Sequence, residues 1–476
     1  MKVYIDSAIL LFNELVLAYY AVANAIYAVL LVAAVWLILR HLMRRGYSRY
    51  HESIHPSMVQ PISVLLSAYN EESNIVESVK SLCQLNYPDY EIVVINDGST
   101  DATFRRLVES FGLRRIKSVY RPILRTAGVR GFYASRRVPN LVVIDKEHSG
   151  KADSLNTGIN ASRAPYFCSV DADSILEKDS LMRLMWPIIE EPEVVKATGG
   201  IVRIVNGSVV RDGKIAEVRL PEDSLSRLQV VEYIRSFLFG RAGLSALNSL
   251  LIISGTFSMF HKKSVIAVGG YSTDTVTEDM ELVVRLHRYF MRTKQKYRIN
   301  FVPDPICWTE APKTFAALSK QRKRWHAGLG ESIALHMAMV FNPRYGRIGL
   351  FAMPYQLLIE FFGPFIETAG YAVVVLSFMA GIIDVRFFML FLVMAVAIGV
   401  FFSTVAILLE EITYRRYPRL RDLLVLLFYG VLENFGYRQV VAYWRTRAII
   451  SFILPGKKRW EHIKKHGFDY KPLNKT

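Results

Sequence analysis

The sequence predicts an α/β domain placed between membrane-spanning α-helices, and three observations support this prediction. Apolar residues make up 52% of the 476 residues, and the most apolar stretches lie towards the two ends of the chain. Between them, short β-branched runs alternate with helical patterns, which is typical of a domain with a largely parallel sheet. Short basic runs flank the apolar stretches, as they do on the inner side of membrane proteins.

The first apolar stretch, residues 17–40, is long enough to cross a bilayer. It is too long for the core of a signal peptide, and no small-residue cleavage site follows it. Arg44, Arg45 and Arg49 come next, and the positive-inside rule then places the following domain in the cytoplasm. We therefore predict an N-terminal transmembrane helix in residues 1–45 of a multi-pass protein of the cell membrane.

The central region, residues 60–335, is predicted to form the soluble domain. Its segment 111–140 is longer and more basic than a minimal α/β domain needs, and it could cover a binding site, touch lipid or form a solvated loop. The β-branched runs of the region are expected to be strands, and they occupy residues 62–68, 91–96, 141–144 and 166–170.

The C-terminal region, residues 336–455, contains three further apolar blocks. Blocks 348–383 and 387–409 are each long enough to cross a bilayer. The third block, 423–435, is shorter and includes two polar residues, so it could be a tilted span, a re-entrant piece or an interfacial helix. Because basic residues lie on both of its sides, we favour a segment that does not cross fully. The prediction is thus three spans, with a fourth left open.

The formal net charge is +17, and much of the excess lies in basic runs beside the apolar blocks and in a basic cytoplasmic tail, residues 456–476. Such runs predict contact with anionic membrane lipids. The chain contains no recognised nucleic-acid-binding motif, so nucleic acid is excluded as a partner.

Acidic residues recur where the predicted strands end. The first strand leads into Asn70 and Glu71, the second into Asp97, and another into Asp171 and Asp173. Any one of them could be only a turn former or a helix N-cap. The carboxyl ends of parallel strands meet at the same rim of a sheet, where ligands bind in open α/β folds. Three acidic strand ends on one rim therefore predict a polar binding site.

The Asp171-Ala172-Asp173 pair is suited to a divalent cation. Mg²⁺ and Mn²⁺ prefer hard oxygen ligands and can neutralise phosphate oxygens beside them. Alternation along a strand would point the two aspartates apart, so the pair needs a turn at this place to converge.

Two later motifs also suggest chemistry. Glu278 and Asp279 open a predicted helix, where they could complement the helix dipole, or where one could be a general base. Arg324 and Trp325 end a basic run before the membrane block. They could be a membrane-proximal helix end with an interfacial tryptophan, or an arginine that binds diphosphate and an indole that packs on a pyranose ring.

In their order along residues 63–325, these elements resemble the processive family 2 glycosyltransferases, the synthases of cellulose, chitin, hyaluronan and poly-N-acetylglucosamine. The resemblance implies a GT-A-type α/β domain that uses a UDP-sugar and Mg²⁺ or Mn²⁺. It implies that the uridine diphosphate is held by Ala68, Tyr69, Asn70, Glu71 and Asp97, with Lys151 of a Gly-Lys-Ala-Asp-Ser-Leu-Asn run near the donor.

The same resemblance implies roles for the remaining motifs. Asp173 is the expected direct metal ligand, with Asp171 beside it on the metal and the donor. Asp279 is the expected general base, supported by Glu278. The Gln-x-x-Arg-Trp motif supplies Gln321 and Arg324 for the diphosphate and Trp325 for the acceptor, and the acceptor loop corresponds to Gly255, Thr256, Phe257 and Ser258.

The implied function is inverting transfer of a sugar onto a growing β-linked polysaccharide, coupled to export and served by an accessory export subunit. Two alternatives stay open. One is a single transfer to a lipid acceptor, and the other is a catalytically silent receptor or assembly subunit. The silent alternative predicts lost catalytic acids, yet Asp97, Asp171, Asp173 and Asp279 are all present.

The apolar block 348–383 contains two carboxylates. Glu360 and Glu367 are spaced to share one helix face. This face could line a path for an emerging glycan, or the helix could be interfacial with snorkelling acids.

The histidines, His148 among them, show no ligand pair on one helix face, and we expect them to be structural or surface residues.

Overall fold

A computed structural model describes residues 2–47, 59–117, 120–379, 381, 384–417 and 419–453. The predicted basic tail, residues 456–476, lies outside these residues. Within them the chain forms an α/β domain between an N-terminal helix and a group of C-terminal helices, as the sequence predicts.

The centre of the domain is a ten-stranded mixed sheet with the order β3-β4-β5-β2-β1-β6-β11-β8-β12-β7, and β9 and β10 form a separate ribbon. The strands are β1 (Ile62–Ala68), β2 (Tyr90–Asn96), β3 (Leu113–Ile116), β4 (Val129–Ser135), β5 (Leu141–Lys146), β6 (Tyr166–Asp171), β7 (Ser174–Leu176), β8 (Val195–Ile204), β9 (Val209–Arg211), β10 (Lys214–Glu217), β11 (Phe257–His261) and β12 (Arg298–Thr309).

The strands at the middle of the sheet are parallel and fully covered. β1 pairs in parallel with β2 on one side and with β6 on the other, and β2 pairs in parallel with β5. Their aliphatic residues, such as Val64, Leu65 and Leu66, are completely buried. A continuous apolar run of this kind is what a parallel strand covered on both faces requires. The four predicted strands are β1, β2, β5 and β6.

The helices that cover the sheet and border it are named in chain order. They are α1 (Lys2–Tyr47), α2 (Ile75–Leu82), α3 (Thr103–Phe111), α4 (Lys151–Ala161), α5 (Ser180–Glu190), α6 (Ser224–Ile234), α7 (Ala242–Ala246), α8 (Lys262–Ala267), α9 (Glu278–Arg292), α10 (Phe315–Leu335), α11 (Met353–Tyr355), α12 (Gly363–Met379), α13 (Val385–Leu392), α14 (Ile398–Thr413), α15 (Leu420–Leu432) and α16 (Arg438–Ile453).

Wider, π-helical turns link several of these helices. One of them, Arg235–Arg241, joins α6 to α7, and another, Glu433–Tyr437, joins α15 to α16. The remaining π-helical turns are Ile348–Ala352, Gln356–Phe361 and Val393–Ala397, and the short 3₁₀ turns are Met337–Met339 and Pro343–Tyr345.

Three helices of the described chain are long and apolar enough to cross a membrane, by length and composition. They are Leu11–Met43, Ile348–Met379 and Val385–Thr413, and they match the three predicted spans. The block left open, 423–435, belongs to α15, which is followed by a kink at Phe435 and Gly436 and then by α16. α15 packs against α14, whereas α16 packs against α10 and α12.

Polar contacts fasten the sheet to the membrane helices. Arg203 of β8 forms a buried ion pair with Glu410 of α14. His41 of α1 lies 3.1 Å from Asp304 of β12. A buried cation and carboxylate are each costly without the other, so the Arg203–Glu410 pair fixes where α14 meets the sheet.

The basic segment 111–140 extends one edge of the sheet. It supplies β3 and β4, which pair antiparallel with each other and with β5. The connection after β3 is tied to α4, because the side-chain oxygen of Asn160 accepts hydrogen bonds from the amides of Ile123 and Leu124, at 3.1 and 2.9 Å. The segment therefore contributes two edge strands, and the connection between them is held against α4 at Ile123 and Leu124.

Candidate functional site

A cavity of about 820 Å³ opens at the carboxyl ends of β1, β2 and β6 and continues to the membrane helices. The sequence-predicted residues that line it are Ala68, Tyr69, Glu71, Asp97, Lys151, Asp171, Asp173, Gly255, Thr256, Glu278, Asp279, Gln321, Arg324 and Trp325. Asn70, Phe257 and Ser258 do not line it. Phe257 and Ser258 are buried within β11, where the Ser258 hydroxyl lies 3.0 Å from that of Ser169.

Asn70 organises the loop after β1. Its backbone has a φ of 55°, in the left-handed region that asparagine tolerates better than most residues. Its amide donates to the Ser99 hydroxyl at 3.1 Å, and its side-chain oxygen accepts from the Thr100 amide at 2.8 Å. Asn70 thus ties the loop after β1 to the loop after β2 and fixes the backbone that carries Tyr69.

Asp97 orders the loop that leads to α4. Its buried carboxylate accepts hydrogen bonds from the Gly150 amide at 2.8 Å and the Ser149 amide at 3.1 Å. The fully buried ammonium of Lys146 lies 2.8 Å from Asp97 and 2.9 Å from Asp153. One cation therefore serves two carboxylates, which makes Lys146 the electrostatic centre of this wall.

His148 belongs to the same wall, whereas we expected it to be a structural or surface residue. Its Nδ1 lies 2.9 Å from Oδ2 of Asp97, and its ring stacks on Tyr69 with centroids 4.1 Å apart. The side chain is half exposed and lines the cavity. The two stacked rings form a flat surface of the kind on which a nucleobase can stack.

Lys151 lies at the start of α4 between carboxylates from two other elements. Its Nζ is 2.6 Å from Asp171 and 3.4 Å from Glu278. Burial opposes the charge of Lys151, but the attraction of Asp171 and Glu278 is larger and raises its pKa. The ammonium group therefore stays charged and neutralises the acidic rim.

Asp279 is held against a backbone amide at the start of α9. The amide of Gly255 donates to Oδ2 of Asp279 at 2.8 Å, and the Met280 amide donates to Oδ1 at 2.9 Å. Thr277 stands at the N-cap position but its side chain does not cap the helix. Burial, reinforced by the charge of Asp279, raises the pKa of Glu278, while Lys151 opposes the rise.

The turn that the Asp171-Ala172-Asp173 pair needs is present, because β6 ends at Asp171 and β7 begins at Ser174. Both aspartates line the cavity. Among the described residues, no group of three His, Cys, Asp or Glu side chains is arranged to hold a metal ion. The two carboxylates therefore suit a cation whose remaining ligands come from a bound phosphate or from water.

Trp325 is set in place by Arg322, which occupies an open position of the Gln-x-x-Arg-Trp motif. Arg322 stacks on the Trp325 ring at 4.5 Å and forms an ion pair with Glu232 at 2.8 Å. The indole is 39% exposed and lines the cavity. Gln321 and Arg324, from the same helix α10, line the cavity as well.

The sequence model of the family "Glycosyl transferase family 2" matches residues 63–269. This part of the chain contains β1, β2 and β6, whose carboxyl ends form the rim of the cavity. The chain carries a family 2 glycosyltransferase domain. The predicted GT-A-type fold class is confirmed by this match and by the mixed sheet with its parallel core.

The family 2 domain has curated relatives of known activity. The chain is 28% identical over 271 residues to a poly-beta-1,6-N-acetyl-D-glucosamine synthase of Staphylococcus epidermidis, covering 57% of this chain and 55% of that protein. It is also 28% identical over 276 residues to the synthase of the same name from Staphylococcus aureus strain COL, covering 58% and 56%. The chain thus aligns with about half the length of the curated relatives it matches.

Among solved structures, the chain resembles a mannosyltransferase from Pyrobaculum calidifontis in complex with GDP-Man and Mn²⁺. The TM-score is 0.51 at 18% identity, and the match covers 89% of this chain and 99% of that one. At this identity the likeness supports the fold of the family 2 domain and its flanking helices.

Three residues in or directly behind the cavity wall were not predicted from the sequence to belong to the site: Lys146, His148 and Arg322. Lys146 could have been predicted, because it is a charged residue at the end of a β-branched run. It is the last residue of β5, at the same rim as the acidic strand ends. Arg322 follows Gln321 in the Gln-x-x-Arg-Trp motif, at a position where the motif specifies no residue type.

We predict that Gly255→Ala displaces the Asp279 carboxylate and slows sugar transfer while leaving the fold intact. A Cβ at residue 255 would lie 2.8 Å from Oδ2 of Asp279, so the carboxylate must move. Misplacement of about 1 Å can reduce a rate by about 100-fold. Sugar transfer by purified protein measures the effect, and Gly240→Ala is the matched control, because a Cβ there meets nothing within 4 Å in the same cavity. Equal activity of both variants would show that Asp279 needs no support from residue 255.

We predict that Lys146→Met lowers stability and weakens donor binding together. The change leaves Asp97 and Asp153 buried without their shared cation, at a cost of about 3–5 kcal/mol. Thermal unfolding in detergent and the donor KM measure the two effects. Lys80→Met removes a more exposed pair with Glu77 and should cost at most about 1 kcal/mol. Equal effects of the two substitutions would contradict the role given to Lys146.

Proposed function

We propose that the protein is an inverting glycosyltransferase that moves a sugar from a UDP-sugar onto a growing β-linked glycan. The observation that carries the proposal is the continuity of one cavity. It runs from the acidic strand ends past Asp279 and Trp325 to Tyr19, Glu360 and other residues of the membrane helices. A donor site, a general base and a route towards the membrane therefore share one space.

The donor binds at the rim formed by the ends of β1, β2 and β6. The nucleobase of the donor lies against Tyr69 and His148, and the diphosphate lies towards Lys151 and Arg324. Mg²⁺ or Mn²⁺ held by Asp173 and Asp171 would neutralise the charge of the departing diphosphate. Lys151, which already neutralises this rim, adds a fixed positive charge.

In the transfer step, an acceptor hydroxyl attacks the anomeric carbon of the donor sugar. Asp279 takes the hydroxyl proton, the new carbon–oxygen bond forms, and the bond to the diphosphate breaks with its electron pair leaving on UDP. One base is enough because the attack comes from the face opposite the leaving group, which inverts the anomeric centre. The Gly255 amide orients the Asp279 carboxylate towards this task.

The substrate class follows from the relatives, which are named as synthases of a poly-N-acetylglucosamine. We infer transfer of an N-acetylhexosamine, at a domain on the cytoplasmic side of the cell membrane. The mechanism needs Asp97, Asp171, Asp173 and Asp279 in one cavity, and their convergence argues against a catalytically silent subunit.

Export through the membrane is part of the proposal, because the far end of the cavity is polar. Glu360 and Glu367 line it there, paired with Arg445 at 3.4 Å and with Arg438 at 3.1 Å. Paired charges and tyrosines suit a hydrated glycan better than a lipid tail. The border of the same cavity with α1 also suits a lipid-linked acceptor, and product length separates the two functions.

We predict that Asp279→Asn slows transfer strongly and preserves donor binding. Loss of a general base reduces a rate by about 10²- to 10⁴-fold. Purified protein is incubated with a panel of UDP-sugars, Mg²⁺ or Mn²⁺ and an oligosaccharide acceptor, and both released UDP and product length are measured. Asp274→Asn, an exposed residue before α9, is the control. Undiminished transfer by Asp279→Asn would remove the base assignment, and products of one added sugar would favour the single-transfer alternative.

A further inference from the structure

Arg241 lines the same cavity and has no part in the transfer described above. It ends the π-helical turn Arg235–Arg241 that joins α6 to α7. α7, which follows it directly, is packed tightly on the first membrane helix, since a Cβ on Gly243 would lie only 2.4 Å from the carbonyl oxygen of Leu30. Arg241 is therefore attached to a rigid part of the cavity wall.

The guanidinium of Arg241 is positioned by an aromatic ring rather than by a carboxylate. Its central carbon lies 3.8 Å from the centroid of Phe237, in cation–π contact. Its Nη1 is buried and has no hydrogen-bond partner among the described residues. Burial lowers the pKa of Arg241 to about 10, with Asp279 opposing the change, so the group is charged at neutral pH.

Four other arginines of the cavity wall each have a carboxylate partner, and a fifth, Arg324, is exposed to solvent. Those pairs are Arg322 with Glu232, Arg235 with Glu433, Arg438 with Glu367 and Arg445 with Glu360. A buried cation without such a partner is expensive to maintain. The charges of Arg241 and of Asp279, the proposed base, interact. We therefore expect a bound ligand to supply the hydrogen-bond partner that the Arg241 guanidinium lacks.

We propose that Arg241 is an acceptor-binding residue: its guanidinium donates hydrogen bonds to a hydroxyl or carbonyl oxygen of the acceptor's terminal sugar and holds the attacking hydroxyl at Asp279. The inference rests on the proposed glycosyl transfer and adds the residue that selects and orients the acceptor. Because the contact is made to the acceptor and not to the donor, its loss should affect the two substrates unequally.

The test uses full-length Arg241→Met in detergent or lipid nanodiscs, with a short β-linked N-acetylhexosamine oligosaccharide as acceptor. At saturating UDP-sugar, we expect the acceptor KM to rise about 10- to 100-fold, as for loss of hydrogen bonds from a charged group. We expect the donor KM and the slow release of UDP to water to stay within about two-fold of the unmodified protein, since hydrogen bonds to the donor are unchanged.

Two further variants keep the test independent of folding. Phe237→Leu removes the ring under the guanidinium and should raise the acceptor KM in the same direction by a smaller factor. Arg227→Met is the matched control, because Arg227 also stacks on an aromatic ring, Tyr429, but does not line the cavity. Its acceptor KM should equal that of the unmodified protein.

An unchanged acceptor KM in Arg241→Met overturns the inference and leaves the proposed transfer standing. A rise in donor KM, or a loss of UDP release to water equal to the loss of transfer, also overturns it, because Arg241 would then act on the donor or on Asp279. Absence of transfer by the unmodified protein with every UDP-sugar overturns the proposed function and the inference together.

Discussion

The ammonium group of Lys151 allows carboxylates from separate elements to approach one another. Asp171 comes from the end of β6 and Glu278 from the start of α9, and Lys151 lies within 3.4 Å of both. Without a cation, carboxylates brought together in a region of low dielectric would repel, and protons would be needed to neutralise them. The strand order places the acids at one rim, and Lys151 makes their ionised state compatible with burial.

Hydrogen bonds connect Lys151 and its loop to the other residues of the site. The carbonyl of Gly255 lies 3.3 Å from Lys151, and its amide holds Asp279. On the opposite side, Asp97 holds the loop that carries Lys151, with Lys146 behind it. A few backbone groups therefore connect the proposed donor rim to the proposed base, and a side chain at residue 255 would press against the Asp279 carboxylate.

The sequence predicted the parts of this arrangement that depend on local pattern. The apolar runs that became β1 and β2 were recognisable because parallel strands covered on both faces must be continuously apolar. Asp97 and Asp279 could be predicted as site residues because Asp97 directly follows a predicted strand and Asp279 lies at the start of a predicted helix. The three spans followed from length and composition alone.

The missed features depend on contacts between distant segments. Lys146 could be recognised as buried only once Asp97 and Asp153 were known to surround it. The stacking of His148 on Tyr69 joins residues from two different loops, and periodicity carries no information about such a pair. The segment 111–140 supplies edge strands because its hydrogen bonds are made to β5 and α4, which no local pattern specifies.

We propose that donor and acceptor meet in one cavity that continues to the membrane helices. A cryo-EM map of the protein with UDP, Mn²⁺ and a β-linked oligosaccharide tests it directly. The cavity predicts uracil against Tyr69 and His148, diphosphate beside Lys151 and Asp173, and the end of the oligosaccharide between Trp325 and Asp279. Nucleotide density away from the ends of β1 and β2, or an oligosaccharide outside this cavity, would contradict it.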